Sequence, residues 1–124
     1  SAALVKTRTE SAELKMTYAV NTIQAMVEGG DGKALEKSST WPVDINERLD
    51  LMEKIYDASE KNMAEGSEQN GVIYKPYKDD STVGSKSVTS RLDALDKRYE
   101  HLNSNGIGRL LAVREVETRK PQTV

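Results

Sequence analysis

No cysteine occurs in this chain of 124 residues, and no phenylalanine. Without cysteine there can be no disulfide, no thiolate metal site and no cysteine nucleophile, which fits a reducing compartment. Histidine occurs once, as His101. It has neither a second histidine nor a cysteine with which to hold zinc. Near the end of a helical stretch, where the dipole favours a cation, it reads as a surface histidine. No apolar run exceeds four residues, as at Leu110 to Val113. That is far short of the ~20 a membrane-crossing helix needs. No cleavable signal segment is visible from Ser1 onward, so no membrane contact is expected. An excess of one charge is missing too. Eighteen basic residues face 20 acidic ones, for a net charge of −2, which argues against a generic binder of polyanions.

Apolar material is also scarce. With glycine counted and tyrosine left out, it makes up about 39% of the chain, against a usual ~45–50%. The near-zero net charge gives no repulsion to keep such a chain unfolded. The expectation is therefore a single folded domain with a thin core, of the kind completed by a partner or a second copy.

What is present is helical periodicity. Over about 4–28, Ala12, Met16, Ala19, Val20, Ile23, Met26 and Val27 recur at steps of three and four, which predicts one apolar stripe on a helix. Gly29-Gly30 would close it. The stretch 31–43, "DGKALEKSSTWPV", reads as a linker, in which Pro42 turns Trp41 away from helix. Asp44, with Glu47 three positions on, predicts a capped helix start. The helix covers about 45–65, has a stripe of Ile45, Leu49, Met52, Ile55, Tyr56 and Met63, and would stop at Gly66. The stretch 67–87, "SEQNGVIYKPYKDDSTVGSKS", is irregular. It leaves room for a short β-hairpin pairing Val72, Ile73 and Tyr74 with Thr82-Val83 around Asp79-Asp80, on an edge because Pro76 lacks a donor. A third helix over about 88–104 has the seam Val88, Leu92, Leu95, Tyr99 and Leu102, a cap at Ser87 or Thr89, and a stop at Asn105-Gly106. Residues 107–116 fit a strand or a short helix equally. The fold class expected is mainly α: three amphipathic helices in a bundle or an elongated hairpin within a domain of residues 1–116, followed by a polar tail at 117–124.

The second and third helices nearly repeat each other. "RLDLMEKIY" begins at Arg48 and "RLDALDKRY" at Arg91. In both, an aspartate stands four positions before a lysine (Asp50 and Lys54, Asp93 and Lys97), the favourable order for a pair along one helix. Duplication and convergence of two amphipathic helices both account for the match. Under either, each phrase is a helix with one apolar seam that it cannot bury alone.

Chemistry is harder to find. "GGDGK" at Gly29–Lys33 lacks the spacing, the Ser or Thr and the preceding strand of a phosphate-binding loop, and reads as a turn. Glu47, Asp50, Glu53, Asp57 and Glu60 read as the solvated outer face of one helix, since acid–base work needs two carboxylates placed in a cleft. No catalytic residue, metal site or cofactor is expected, and no enzyme. The loop aromatics stand out: Trp41 with Pro42, and Tyr74 with Pro76 and Tyr77. They are the candidates for contact with a protein partner, or else they cover the core. Nucleic-acid binding is the rival reading, and would place Lys75, Lys78, Lys86 and Arg91 on one face.

The stretch Val83–Ser104, "VGSKSVTSRLDALDKRYEHLNS", resembles small head–tail joining proteins of tailed bacteriophages. There a helix precedes a short hairpin, a Gly-polar turn and a Ser/Thr-capped helix. "YAVNTIQAMVEGG", from Tyr18, resembles the first helix of that layout, and the helix at 45–65 is an addition to it. The likeness covers about 35 residues. It implies a non-enzymatic virion protein working in a ring of identical copies. With the composition, it places the chain in the cytoplasm or in a virion, acting through protein partners in a homo-oligomer or larger assembly.

Overall fold

The computed structural model describes residues 1–27, 41–78 and 87–119. Four α-helices account for most of these: α1 (Ala2–Val27), α2 (Ile45–Glu68), α3 (Val88–His101) and α4 (Gly108–Arg119). A π-helical turn, Leu102–Ile107, joins α3 to α4 without a break. The backbone stays in the right-handed helical region from His101 through Leu102 to Gly108. The chain is mainly α, as its periodicity predicts, and it has no strand among the described residues. No helix there is long and apolar enough to cross a membrane.

The helix starts follow the caps read from sequence. Asp44 accepts the Glu47 N–H at 3.1 Å, and Ser87 accepts the Ser90 N–H at 3.0 Å. Within α1, Thr7, Thr9, Thr17 and Thr22 return their hydroxyls to the carbonyl four residues back. These bonds satisfy the hydroxyls at a slight cost to the helix.

The helix ends depart from expectation. Gly66 does not stop α2. It lies inside the helix, where any Cβ would overlap the Val27 side chain. Its role is close approach of α2 to α1. The stop comes later, in a Schellman arrangement: Val72 N–H donates to the Ser67 carbonyl at 2.9 Å and Gly71 N–H to that of Glu68 at 3.0 Å. Gly71 takes the left-handed conformation there, at φ +77°. Asn105-Gly106 does not stop α3 either. A Cβ at Gly106 would stand 3.0 Å from Met63 Cγ and 3.2 Å from Tyr74 Cδ1, so this glycine too marks a close crossing. The ambiguous stretch 107–116 is helical, and α4 carries Glu117, Thr118 and Arg119 as helix into the expected tail. Val72–Tyr74 form no strand. The other half of the expected hairpin, like the Gly29-Gly30 cap, lies outside the described residues.

The three long helical segments run parallel. Arg91 meets Asp50 and Arg98 meets Asp57, each 41 positions apart. Arg8 meets Asp96 and Arg114 meets the Met26 carbonyl, each 88 apart. Between α1 and α2, Arg48 meets Glu13 and Gly66 lies on Val27. A constant offset means parallel axes; antiparallel helices would give a constant sum. Of the two arrangements expected, the bundle is the one that forms, with the chain returning between helices. Positions 28–44 and 69–87 are long enough for that. At ~3.3 Å per extended residue, either interval can outreach a 24-residue helix of about 36 Å.

The core lies along the axis between the three segments. It is built from Met16, Ala19 and Ile23 of α1, Leu49, Met52, Tyr56 and Met63 of α2, and Leu92, Leu95, Leu102, Ile107 and Leu110 of the last segment. The repeated phrases place their matched seam residues in this one core: Leu49 with Leu92, Met52 with Leu95, and Tyr56 with the partly buried Tyr99.

Candidate protein-contact surfaces

The acidic face of α2 is solvated at Glu47, Asp50 and Asp57, as expected, but Glu60 is buried and four of its five acids clasp arginines of α3. Arg91 donates from Nε to Glu53 at 3.0 Å and from Nη2 to Asp50 at 2.6 Å. Seven residues on, Arg98 repeats the same fork, from Nε to Glu60 and from Nη2 to Asp57. Burial alone would lower the pKa of Arg98, but the carboxylates of Asp57 and Glu60 outweigh it and hold it above the ordinary arginine value. Arg98 also lies over the Tyr56 ring, 5.4 Å from its centroid. Asp50 and Asp93, which the intrahelical spacing would pair with Lys54 and Lys97, reach across to Arg91 and Arg8.

Glu60 is the pivot. Only 1% of it is exposed, and both its oxygens are used. One accepts from Arg98; the other accepts from Tyr74 Oη and from the Tyr77 N–H, each at 2.7 Å. This pins the segment after the α2 turn onto the bundle. Burial first, and then the bond to Glu60, raises the Tyr74 phenol well above its ordinary value.

His101 holds the same segment from the other side. Its Nε2 lies 2.7 Å from the Lys75 carbonyl and its Nδ1 3.1 Å from Asn105 Nδ2. A carbonyl can only accept, so Nε2 is the donor to Lys75. The ring stands between Tyr74 and Tyr77, with centroids at 5.4 and 5.6 Å. His101 is therefore a half-buried strut, and the helical path continues past it.

The aromatic candidates separate accordingly. Tyr74 is buried, 4% exposed, and belongs to the core. Tyr77 is half-buried against His101, and Pro76 is exposed between them. Trp41 and Pro42 are half-buried at the start of α2, where Trp41 lies against the core. Glu60 lies about 24 Å further along the α2 axis at ~1.5 Å per residue, so the two aromatic groups form separate sites.

Sequence reasoning passed over the exposed apolar positions. Leu4, Leu14 and Tyr18 of α1 stand in solvent, Leu14 at 71% and Tyr18 at 54%. The two are one turn apart, on the side of α1 away from the core. Ile73, 74% exposed, and Val116 of α4 are exposed as well, and Leu111 is exposed on a different face of α4. The readable signal was that α1 and α4 carry apolar residues beyond a single stripe.

The basic face that nucleic-acid binding calls for does not assemble around Arg91, whose guanidinium is held by Asp50 and Glu53. Lys75 and Lys78 are exposed, and Lys86 lies outside the described residues. A second buried carboxylate, Glu13, pairs through one oxygen with Arg48, while its Oε2 has no hydrogen-bond partner among the described residues. Each buried carboxylate is thus matched to an arginine on a neighbouring helix. Comparison with protein-family models, with curated proteins and with solved structures found no match.

Proposed function

We propose that this chain is a non-enzymatic structural or adaptor protein that works in an oligomeric assembly. One observation carries the reading: α1 is apolar on two faces. Met16, Ala19 and Ile23 fill the core, and Leu14 and Tyr18 stand exposed behind them. A helix apolar on both sides is normally covered on both. Leu4 extends this outer face about 21 Å along the axis, at ~1.5 Å per residue. Leu14 and Tyr18, adjacent on that outer face, mark a protein–protein contact more readily than scattered single residues do. The narrower version, a head–tail or other virion component of a tailed phage, is supported only by the sequence resemblance. The rival nucleic-acid reading loses support because Arg91 is engaged.

Sedimentation velocity of the unmodified chain across micromolar concentrations tests the proposal. The expected result is a mass above 13.7 kDa that rises with concentration. A 13.7 kDa species at every concentration would contradict it.

A further inference from the structure

We infer that the groove beside α4 receives the α4 of a second copy of this chain, packed antiparallel about a two-fold axis. The inference rests on the proposed reading that the chain self-assembles, and names a second surface beside the outer face of α1.

An open groove of about 420 Å³ is lined by Gly71, Val72 and Ile73 on one side and by Arg109, Ala112 and Val113 of α4 on the other. Arg109, Ala112 and Val113 stand at i, i+3 and i+4, so they share one helix face, which Val116 continues at i+7. Ile73 is 74% exposed and Val116 59%. Small residues, Gly71 and Ala112, line the groove where a helix backbone would approach. This is the shape and spacing of a surface that takes an amphipathic helix.

Charge selects the occupant and its direction. Arg109, at one end of the stripe, makes no ion pair among the described residues. Neither does Glu117, at the other end. Arg114 is not available to compete, because it donates to the Met26 carbonyl. Two copies of α4 laid antiparallel and centred near Val113 place Arg109 of each opposite Glu117 of the other. The two-fold makes this pair twice, in an isologous interface. A parallel arrangement would set Arg109 against Arg109 and Glu117 against Glu117. The same stripe supplies both halves of the contact, so no foreign chemistry is needed.

The test is charge reversal on the full chain, read by sedimentation velocity at low salt with circular dichroism as the control on folding. Arg109→Glu and Glu117→Arg should each weaken self-association by about tenfold or more, since each creates two like-charge pairs in place of two attractive ones. The double variant restores both pairs and should return to within about threefold of the unmodified chain. Val116→Asp, at an exposed position, should keep its helicity and weaken association. An assembled parent unaffected by either reversal overturns this interface and leaves the assembly reading standing. Singles that weaken association without rescue in the double overturn the antiparallel pairing. A parent that is monomeric throughout overturns both.

Discussion

Glu60 and Glu13 show how one side chain is used at two degrees of completion. A buried carboxylate costs several kcal/mol in lost hydration unless charge and hydrogen bonds replace it. Glu60 has a guanidinium, a phenol and a backbone amide around it; Glu13 has Arg48 on one oxygen only. Removing Glu60 would strand the largely buried Arg98 and release the 72–78 segment together. Glu60→Ala should therefore cost about 3–5 kcal/mol. In urea denaturation this appears as a lower midpoint, and in hydrogen exchange the Tyr77 amide should lose its protection. A midpoint equal to that of the parent would mean the clasp contributes nothing. None of this was legible in the sequence as a fact about Glu60, which was read as one of five solvated acids. The signal was there: Asp50 and Glu53, then Asp57 and Glu60, repeat at seven residues, as Arg91 and Arg98 do. It becomes a ladder only once α2 and α3 are known to lie side by side.

Among the elements, helix bodies followed from periodicity and helix starts from Asp44 and Ser87, because both depend on residues near in sequence. Helix ends did not. Glycine serves both as a left-handed cap and as a point of close approach, and only a neighbouring helix distinguishes the two. Gly66 and Gly106 were read as stops and are crossings; Gly71, next to Asn70, is the stop. The sign of a substitution separates these roles. Inside an uncrowded helix, Gly66→Ala would stabilise by about 1 kcal/mol through propensity. Against Val27 it should instead destabilise by about 1–3 kcal/mol, as overpacking does. Val27→Ala in the same chain should recover much of that loss, which a double-mutant cycle by chemical denaturation would measure. A stabilising Gly66→Ala would place the α1–α2 crossing elsewhere.

At the scale of the molecule, the parallel course of the helices explains the long intervals in the sequence. Antiparallel bundles need connections of only a few residues; positions 28–44 and 69–87 are far longer. The sequence reads as a linker at 31–43 and as an irregular stretch with room for a hairpin at 67–87, and the aromatics of both are its candidates for partner contacts. The structure assigns Tyr74 to the core and leaves exposed apolar residues behind α1, along α4 and at Val43 and Ile73 outside the helices. The central claim is that the outer face of α1 is a contact surface. Replacing Leu14 and Tyr18 together with Gln, a good helix former, tests it most directly, by measuring molecular mass beside helix content. The account predicts unchanged helicity and unfolding of the isolated chain, with the assembled mass falling below the parent's. An assembly that keeps the parent's mass with both residues replaced would contradict it, and so would a loss of helicity that accompanies dissociation.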